Sequence, residues 1–177
     1  MQTTTTTATA STTAVGGRYG LLTGLVSIII SFGIYALQLE QNPVVRFLTM
    51  AVLVVGIILA MRNFKEQNAG FMNYGQGLSV GMTVSGVVGI LSAIFVYVYT
   101  TFVDPDMMMR VMEKARADME AKGTMSDAQI DQAMAMSSKF MTGPFMLLFT
   151  VLGTILIGLL ISLIAAAFVK NPKPEFE

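Results

Sequence analysis

The residues that could carry chemistry are concentrated in one charged stretch of the chain. Seven carboxylates lie there: Asp104, Asp106, Glu113, Asp118, Glu120, Asp127 and Asp131. Paired carboxylates can act as general acid and base or bind calcium, but this spacing matches no calcium-binding loop. Asp104 and Asp127 also stand where helices are predicted to begin. We therefore expect a solvated acidic face, with no catalytic residue and no cofactor.

Methionines crowd the same stretch, and soft thioether ligands would suit copper(I). The crowded residues are Met107, Met108, Met109, Met112, Met134 and Met136. The chain has no Cys and no His to complete such a site. Methionine is also a flexible filler of irregular contacts and adaptable binding surfaces. We expect no metal site, and we interpret four residues as candidates for a partner-binding surface: Met108, Met112, Met119 and Met134.

The composition excludes an ordinary soluble enzyme. Apolar residues make up 54% of the chain and charged residues 12%, about half the usual charged share of a soluble domain. The absence of His and Cys excludes zinc centres and Ser–His or thiol nucleophiles. The formal net charge of zero provides no field to hold nucleic acid.

Four stretches are long and apolar enough to cross a bilayer core, which takes about 20 residues. They run over residues 19–39, 44–61, 77–103 and 143–169. Arg46 is the single charged residue within them, and its position near the start of the second span lets its side chain reach the headgroups. The sequence therefore predicts an all-α integral membrane protein with four transmembrane helices.

The remaining segments divide the chain. Residues 1–17 are Thr-rich, uncharged and of low complexity, which predicts a disordered tail, and residues 172–177 form a short polar tail. Residues 18–171 form the membrane domain. Within it, residues 104–142 are predicted to form an extramembrane helical hairpin between spans three and four. Asp104-Pro105-Asp106 predicts the start of its first helix and Gly123 the end; Ser126 and Gln129 match a capping box that begins the second.

Small residues recur every four positions inside the spans. Span three carries Gly77, Gly81, Ser85 and Gly89, and span four carries Thr154, Gly158 and Ser162. Span one offers Gly20 with Gly24 and Ser27 with Ser31. Small residues let membrane helices approach closely, and Ser or Thr can hydrogen-bond between helices. The pattern predicts packing faces, but it leaves open whether they pair within one chain or between chains.

Four short segments resemble a known family. They are GFMNYGQGLSVG (70–81), FVDPD (102–106), GTMSDAQIDQAM (123–134) and LIAAAFVK (163–170). The chain resembles, over residues 18–171, the bacterial membrane proteins of domain-of-unknown-function family 4199. The resemblance implies a four-span helical protein of a bacterial inner membrane, and it implies no activity and no catalytic residue.

These observations favour a non-enzymatic membrane component that acts through helix packing and its hairpin. Its expected partners are the lipid bilayer and either another membrane protein or a second copy of the chain. The alternative is a small transport or permeation subunit that uses the Ser/Thr/Gly faces of spans three and four. Basic residues close to the membrane edge collect at Arg18, Arg62, Lys65, Lys170 and Lys173, which predicts that both termini are cytoplasmic.

Overall fold

A computed structural model describes residues 10–39, 42–140 and 143–173, apart from the side chains of Pro43 and Arg46. The described residues form six α-helices: α1 Thr12–Ala36, α2 Pro43–Gln67, α3 Tyr74–Val98, α4 Met107–Lys122, α5 Asp127–Phe140 and α6 Gly143–Val169. A π-helical turn, Tyr99–Val103, extends α3. Within these ranges no strand is found, so the all-α prediction is confirmed.

Four of these helices, α1, α2, α3 and α6, are long and apolar enough to cross a membrane. With its π-helical turn, α3 spans Tyr74–Val103, 30 residues, and α6 has the highest mean hydropathy of the four, 2.7. Helices α4 and α5 lie between α3 and α6 in the chain and form the predicted hairpin. The prediction of four membrane spans with a helical hairpin after the third is confirmed.

The first helix begins earlier than predicted, so the disordered tail is wrong for residues 12–17. The hydroxyl of Ser11 accepts a hydrogen bond from the Ala14 N–H at 3.3 Å and caps α1. Val15 and Gly16 are buried, and Gly16 faces Thr83 of α3. Burial of these residues against α3 offsets the conformational entropy that is lost when the segment becomes ordered, which the Thr-rich composition alone does not predict. Residues 1–9 of the predicted tail lie outside the described residues.

Helix α3 is the centre of the bundle and contacts α1, α2 and α6. It runs parallel to α1, because the Ser79 hydroxyl donates to Thr12 at one end, 3.1 Å, and the ring of Tyr99 meets Phe32 at the other, 6.2 Å. It runs antiparallel to α6, since Gly77 lies beside Ala166 and Gly89 beside Thr154.

One end of the bundle is fastened by what we call the latch, residues 70–72 with residues 169–171. Met72 and Asn171 exchange two backbone hydrogen bonds of 2.8 Å, and the Asn171 side-chain amide donates to the Gly70 carbonyl at 2.8 Å. Lys65 adds a hydrogen bond to the carbonyl of Val169 at 3.3 Å. The Met72 side chain is fully buried beneath these bonds. The latch places the α2–α3 connection beside the end of α6, at the end of the bundle opposite the hairpin.

The hairpin begins differently from the sequence prediction. Asp104 was expected to cap the first helix, which begins at Met107. The Asp104 carboxylate accepts two hydrogen bonds from Arg110, at 3.2 and 2.6 Å, and the backbone N–H groups of Met107 and Asp106 also help to lower its pKa. The π-helical turn before Asp104 places its carboxylate beside Arg110, and a bidentate charged pair is stronger than a single capping bond. Gly123 ends α4 in the left-handed conformation, φ 61°, as predicted. Gln129 reaches back to the Ser126 N–H at 2.9 Å, also as predicted.

Candidate functional site

The predicted small-residue faces of α3 and α6 meet each other along the length of the bundle. Gly77 lies against Ala166, Gly81 against Ser162, Ser85 against Gly158, and Gly89 against Thr154. A Cβ atom added at Gly77 would come within 2.9 Å of the Ala166 Cβ, and one added at Gly89 within 3.2 Å of the Thr154 Cβ. The two faces therefore pack within one chain, which answers the question that the spacing left open.

The centre of this contact contains the same five-residue pattern on both helices. Helix α3 carries Gly81 with Ser85, and α6 carries Gly158 with Ser162. Because the helices are antiparallel, each serine lies over the glycine of the other helix. A Cβ added at Gly81 would overlap the Ser162 side chain, and one added at Gly158 would overlap Ser85. Neither glycine can therefore gain a side chain unless the helices separate.

The serine hydroxyls of this interface do not hydrogen-bond between helices, which corrects the sequence expectation. Ser85 donates to the Gly81 carbonyl at 2.8 Å, and Ser162 donates to the Gly158 carbonyl at 2.6 Å. Each bond stays within its own helix because the carbonyl four residues earlier is already in reach. Association here depends on close van der Waals packing of small residues, and the polar groups are satisfied locally.

A second small-residue face joins α1 to α3, and sequence reasoning found only part of it. Gly20 lies against Val87 and Gly24 against Leu91, but Gly16 also lies against Thr83 and continues the same line. Gly16 was missed because it was assigned to the disordered tail. The signal was present in the sequence, since Gly16 precedes Gly20 by the same four residues that separate Gly20 from Gly24.

The hairpin presents a mixed apolar and charged surface. Met107 and Ile130 are buried, whereas the four predicted partner-surface residues are only half-buried: Met108, Met112, Met119 and Met134. Among the hairpin methionines that the structure describes, the most exposed are two others, Met109 at 57% and Met136 at 58%. The most accessible methionines of the described hairpin are therefore Met109 and Met136, and not the four residues predicted from the sequence.

Ion pairs hold the hairpin together and join it to the bundle. Arg116 of α4 pairs with Glu120 at 2.9 Å and with Asp131 of α5 at 2.7 Å, which links the two hairpin helices. The hydrogen bond from Arg110, opposed in part by desolvation, lowers the pKa of Asp104 below its ordinary value. The carboxylate is consequently ionised at neutral pH and the pair with Arg110 is maintained. No group of three or more His, Cys, Asp or Glu in the described ranges could hold a metal ion.

A cavity of about 580 Å³ lies between α1, α2, α3 and α6, on the hairpin side of the bundle centre. Its polar lining is made of hydroxyl groups, and its apolar lining of large side chains. The lining residues are Ser27, Ser31, Phe47, Thr49, Met50, Leu53, Val88, Ser92, Thr154 and Ile157. None of these residues is ionisable. Phe47, Met50 and Ile157 are exposed on the outside of the bundle, so the cavity opens toward lipid.

The hydroxyl groups around the cavity fall into two sets. Thr49 donates to the Val45 carbonyl at 3.2 Å, and Thr154 donates to the Thr150 carbonyl at 2.8 Å. The side chains of Ser27, Ser31 and Ser92 make no hydrogen bond to any residue that the structure describes. Ser27 is nonetheless only 6% exposed. The cavity therefore contains hydroxyl groups that are free to bind a ligand.

Four long apolar helices around a small-residue centre define a multi-pass helical membrane protein. The chain belongs to the family described as protein of unknown function DUF4199, which matches residues 18–171. The resemblance drawn from the four sequence segments is thus confirmed. Searches of curated proteins and of solved structures find no match.

Proposed function

We propose that this protein is a non-enzymatic component of a bacterial inner membrane that binds another membrane protein through its hairpin. The observation that carries the proposal is the exposure of Met109 and Met136 on a charged extramembrane hairpin. Exposed methionines give a flexible, polarizable surface that can adapt to a partner. A bacterial inner membrane is what the sequence resemblance implies.

The small-residue faces of α3 and α6 are already in contact with each other, which supports the hairpin as the binding element. Gly81 and Gly158 are occupied by contacts between α3 and α6, so this face is closed to another chain. The outer surface of the bundle instead presents large apolar side chains such as Ile29 and Phe168, which suit contact with lipid. The hairpin differs from this lipid-facing surface because it exposes methionines among charged groups, and methionine is enriched at protein interfaces.

The hairpin is also held in a defined position on the bundle. Its first helix is tied to the π-helical turn by the pair between Arg110 and Asp104. At its other end, the ring of Phe140 packs edge-on against Phe149 of α6, with ring centroids 5.1 Å apart. A surface that is fixed in place loses less conformational entropy when it binds a partner.

Replacing Met109 and Met136 together by Gln is expected to reduce the recovery of co-purifying proteins about tenfold, because interface anchors typically contribute 1–2 kcal/mol or more. The measurement is quantitative mass spectrometry after affinity purification from native membranes. Gln132→Ala, which removes an exposed polar side chain from the same hairpin, is the matched control and should leave recovery unchanged. Equal recovery from the double variant and the control would contradict the proposal.

Deletion of residues 107–139 behind a short Gly/Ser bridge separates binding from folding. The four long helices contact one another directly, so the shortened protein should still extract as a folded bundle. It should lose the same proteins that the Met109 and Met136 variant loses. If every partner is retained, the outer faces of the bundle become the binding surface and the hairpin proposal fails.

The alternative of a transport or permeation subunit used the Ser/Thr/Gly faces of spans three and four as its path. Those faces are in contact along Gly77, Gly81 and Gly89, where an added Cβ would overlap its neighbours at Gly77 and Gly81 and would be tightly packed at Gly89. The hydroxyls of Ser85 and Ser162 are committed to their own helices. The packing at this interface therefore favours a binding component over a permeation path.

We further propose that both termini face the cytoplasm and that the hairpin lies on the opposite side. The chain has no Cys, so one introduced cysteine reports its own location. Ser126→Cys, in the turn of the hairpin, should react with an impermeant thiol reagent in intact spheroplasts. Gln67→Cys, exposed at the latch end, should react only after lysis. The reverse labelling pattern would invert the orientation.

A further inference from the structure

We propose that the cavity between α1, α2, α3 and α6 binds an uncharged lipid through a carbonyl oxygen that accepts hydrogen bonds from serine hydroxyls. The volume of about 580 Å³ falls in the range typical of ligand sites, roughly 300–1,000 Å³. Large apolar side chains supply most of the wall, and a few hydroxyl groups converge within it. This combination fits an amphiphile with an apolar body and a small polar group.

Ser27 provides the clearest sign of a ligand. It is 94% buried in the bundle, lines the cavity, and makes no hydrogen bond with the parts of the chain that the structure describes. Buried hydroxyls elsewhere in the same bundle, those of Ser85 and Ser162, donate to a carbonyl of their own helix. The hydroxyl oxygen of Ser27 is not among the fully buried side-chain atoms of the described residues that lack a partner, so it stays accessible from the cavity that Ser27 lines. An acceptor atom within the cavity can therefore take the hydrogen bond that no described residue takes.

Ser31 and Ser92 extend the polar part of the cavity. Ser31 lies one turn beyond Ser27 on α1, and Ser92 lies on α3, and both are half-buried. Like Ser27, they make no side-chain hydrogen bond to a described residue. A serine hydroxyl donates one hydrogen bond, so three such groups suit a ligand rich in acceptors, and a carbonyl oxygen accepts two.

The depth of Ser27 and the neutral lining show which lipids fit. Arg18 marks the membrane edge on α1, and Ser27 lies nine residues further along the helix, which is roughly 13–14 Å along its axis. The hydrocarbon core extends about 15 Å on either side of its centre, so Ser27 lies well below the headgroups. A phospholipid is held at the surface by its charged headgroup, and among the residues whose side chains the structure describes, no ionisable one lines the cavity to receive that charge. An uncharged lipid can place a carbonyl at the depth of Ser27.

Two kinds of uncharged lipid share this chemistry, a prenylquinone with its ring carbonyls and a diacylglycerol with its ester carbonyls. Native mass spectrometry of the full chain in detergent, with decylubiquinone, dioctanoylglycerol and dioctanoyl phosphatidylglycerol as separate probes, distinguishes them. We expect one molecule of an uncharged probe to bind per chain, at least tenfold more tightly than the phosphatidylglycerol. The uncharged probe that binds more tightly identifies the source of the carbonyl.

Variants of the lining test the role of the serines. Ser27→Ala and Ser92→Ala should each weaken binding of the uncharged probe about tenfold, and Ser31→Leu should abolish it by filling the cavity. Thr150→Val removes a hydroxyl that donates to the Met146 carbonyl and does not line the cavity, so it should bind as the unmodified chain does. The proposal is overturned if no uncharged probe binds, if the phosphatidylglycerol binds equally well, or if the serine variants match Thr150→Val.

Discussion

Gly81→Leu and Gly158→Leu are each expected to lower the thermal stability of the detergent-solubilised protein by about 10 °C. Each leucine would enter a contact where even a Cβ overlaps the serine of the opposite helix. Overpacking in a close-packed interior costs about 1–3 kcal/mol or more, and each kcal/mol shifts the melting temperature of a chain this size by about 2–4 °C. A fluorescence melting curve in mild detergent measures the effect.

Matched glycines on the same helices provide the controls. Gly86 of α3 and Gly153 of α6 have no atom near the position of an added Cβ, so Gly86→Leu and Gly153→Leu should melt close to the unmodified protein. A compensating pair gives a stricter test: Ser162→Gly should restore most of the stability lost in Gly81→Ala, because it removes the atoms that a new Cβ would overlap. If all four leucine variants melt alike, α3 and α6 do not pack in this way.

Gly16→Leu is expected to separate the first turns of α1 from α3 and to lower the melting temperature by a similar amount, about 5–10 °C. A Cβ at Gly16 would come within 2.7 Å of the Thr83 Cβ and within 3.0 Å of the Val80 carbonyl oxygen. The backbone oxygen cannot move aside in the way that the end of a flexible side chain can. Limited proteolysis near Arg18 should also become faster, since the helix would lose its contact with α3.

The neighbouring residue Gly17 is the control for this prediction. It has no atom within 4 Å of an added Cβ, so Gly17→Leu should leave both stability and proteolysis unchanged. The comparison also tests the packing of residues 12–17 as the first turns of α1. In a disordered tail the two leucine variants would behave identically, whereas in a packed helix only Gly16→Leu is destabilising.

The spans could be predicted from the sequence because the free energy of inserting them into a membrane is dominated by the transfer of apolar side chains. Transfer of about 20 apolar residues into lipid outweighs every local preference, so α1, α2, α3 and α6 follow from hydropathy alone. The ends of these helices depend on weaker and competing effects. Asp104 was predicted to cap a helix, and the structure adds a bidentate pair with Arg110 that the capping pattern does not predict.

The small residues show how far a spacing pattern can be interpreted. Spacing at four residues selected Gly81 and Gly158, which lie in the contact between α3 and α6. The same spacing also selected Ser27 and Ser31, which line a cavity instead of a helix contact. The sequence spacing of a serine is the same in both settings, since the difference lies in which residues of the other helices surround it. Those neighbours are set by the assembled bundle, and no single segment determines them.

The separation of α3 from α6 along the chain has a consequence for the order of events during synthesis. Helices α1, α2 and α3 are complete before the hairpin emerges, and at about 5–20 residues per second the stretch from Gly89 to Thr154 takes several seconds to make. Throughout that interval the face of α3 that carries Gly77, Gly81 and Gly89 is not yet in contact with α6. Insertion of α6 closes the face and then brings Asn171 to Met72, so the latch can form only when the last helix has reached its place. The latch therefore forms only after α6 has been made and inserted, and the two backbone hydrogen bonds between Met72 and Asn171 mark a bundle in which α3 and α6 have met.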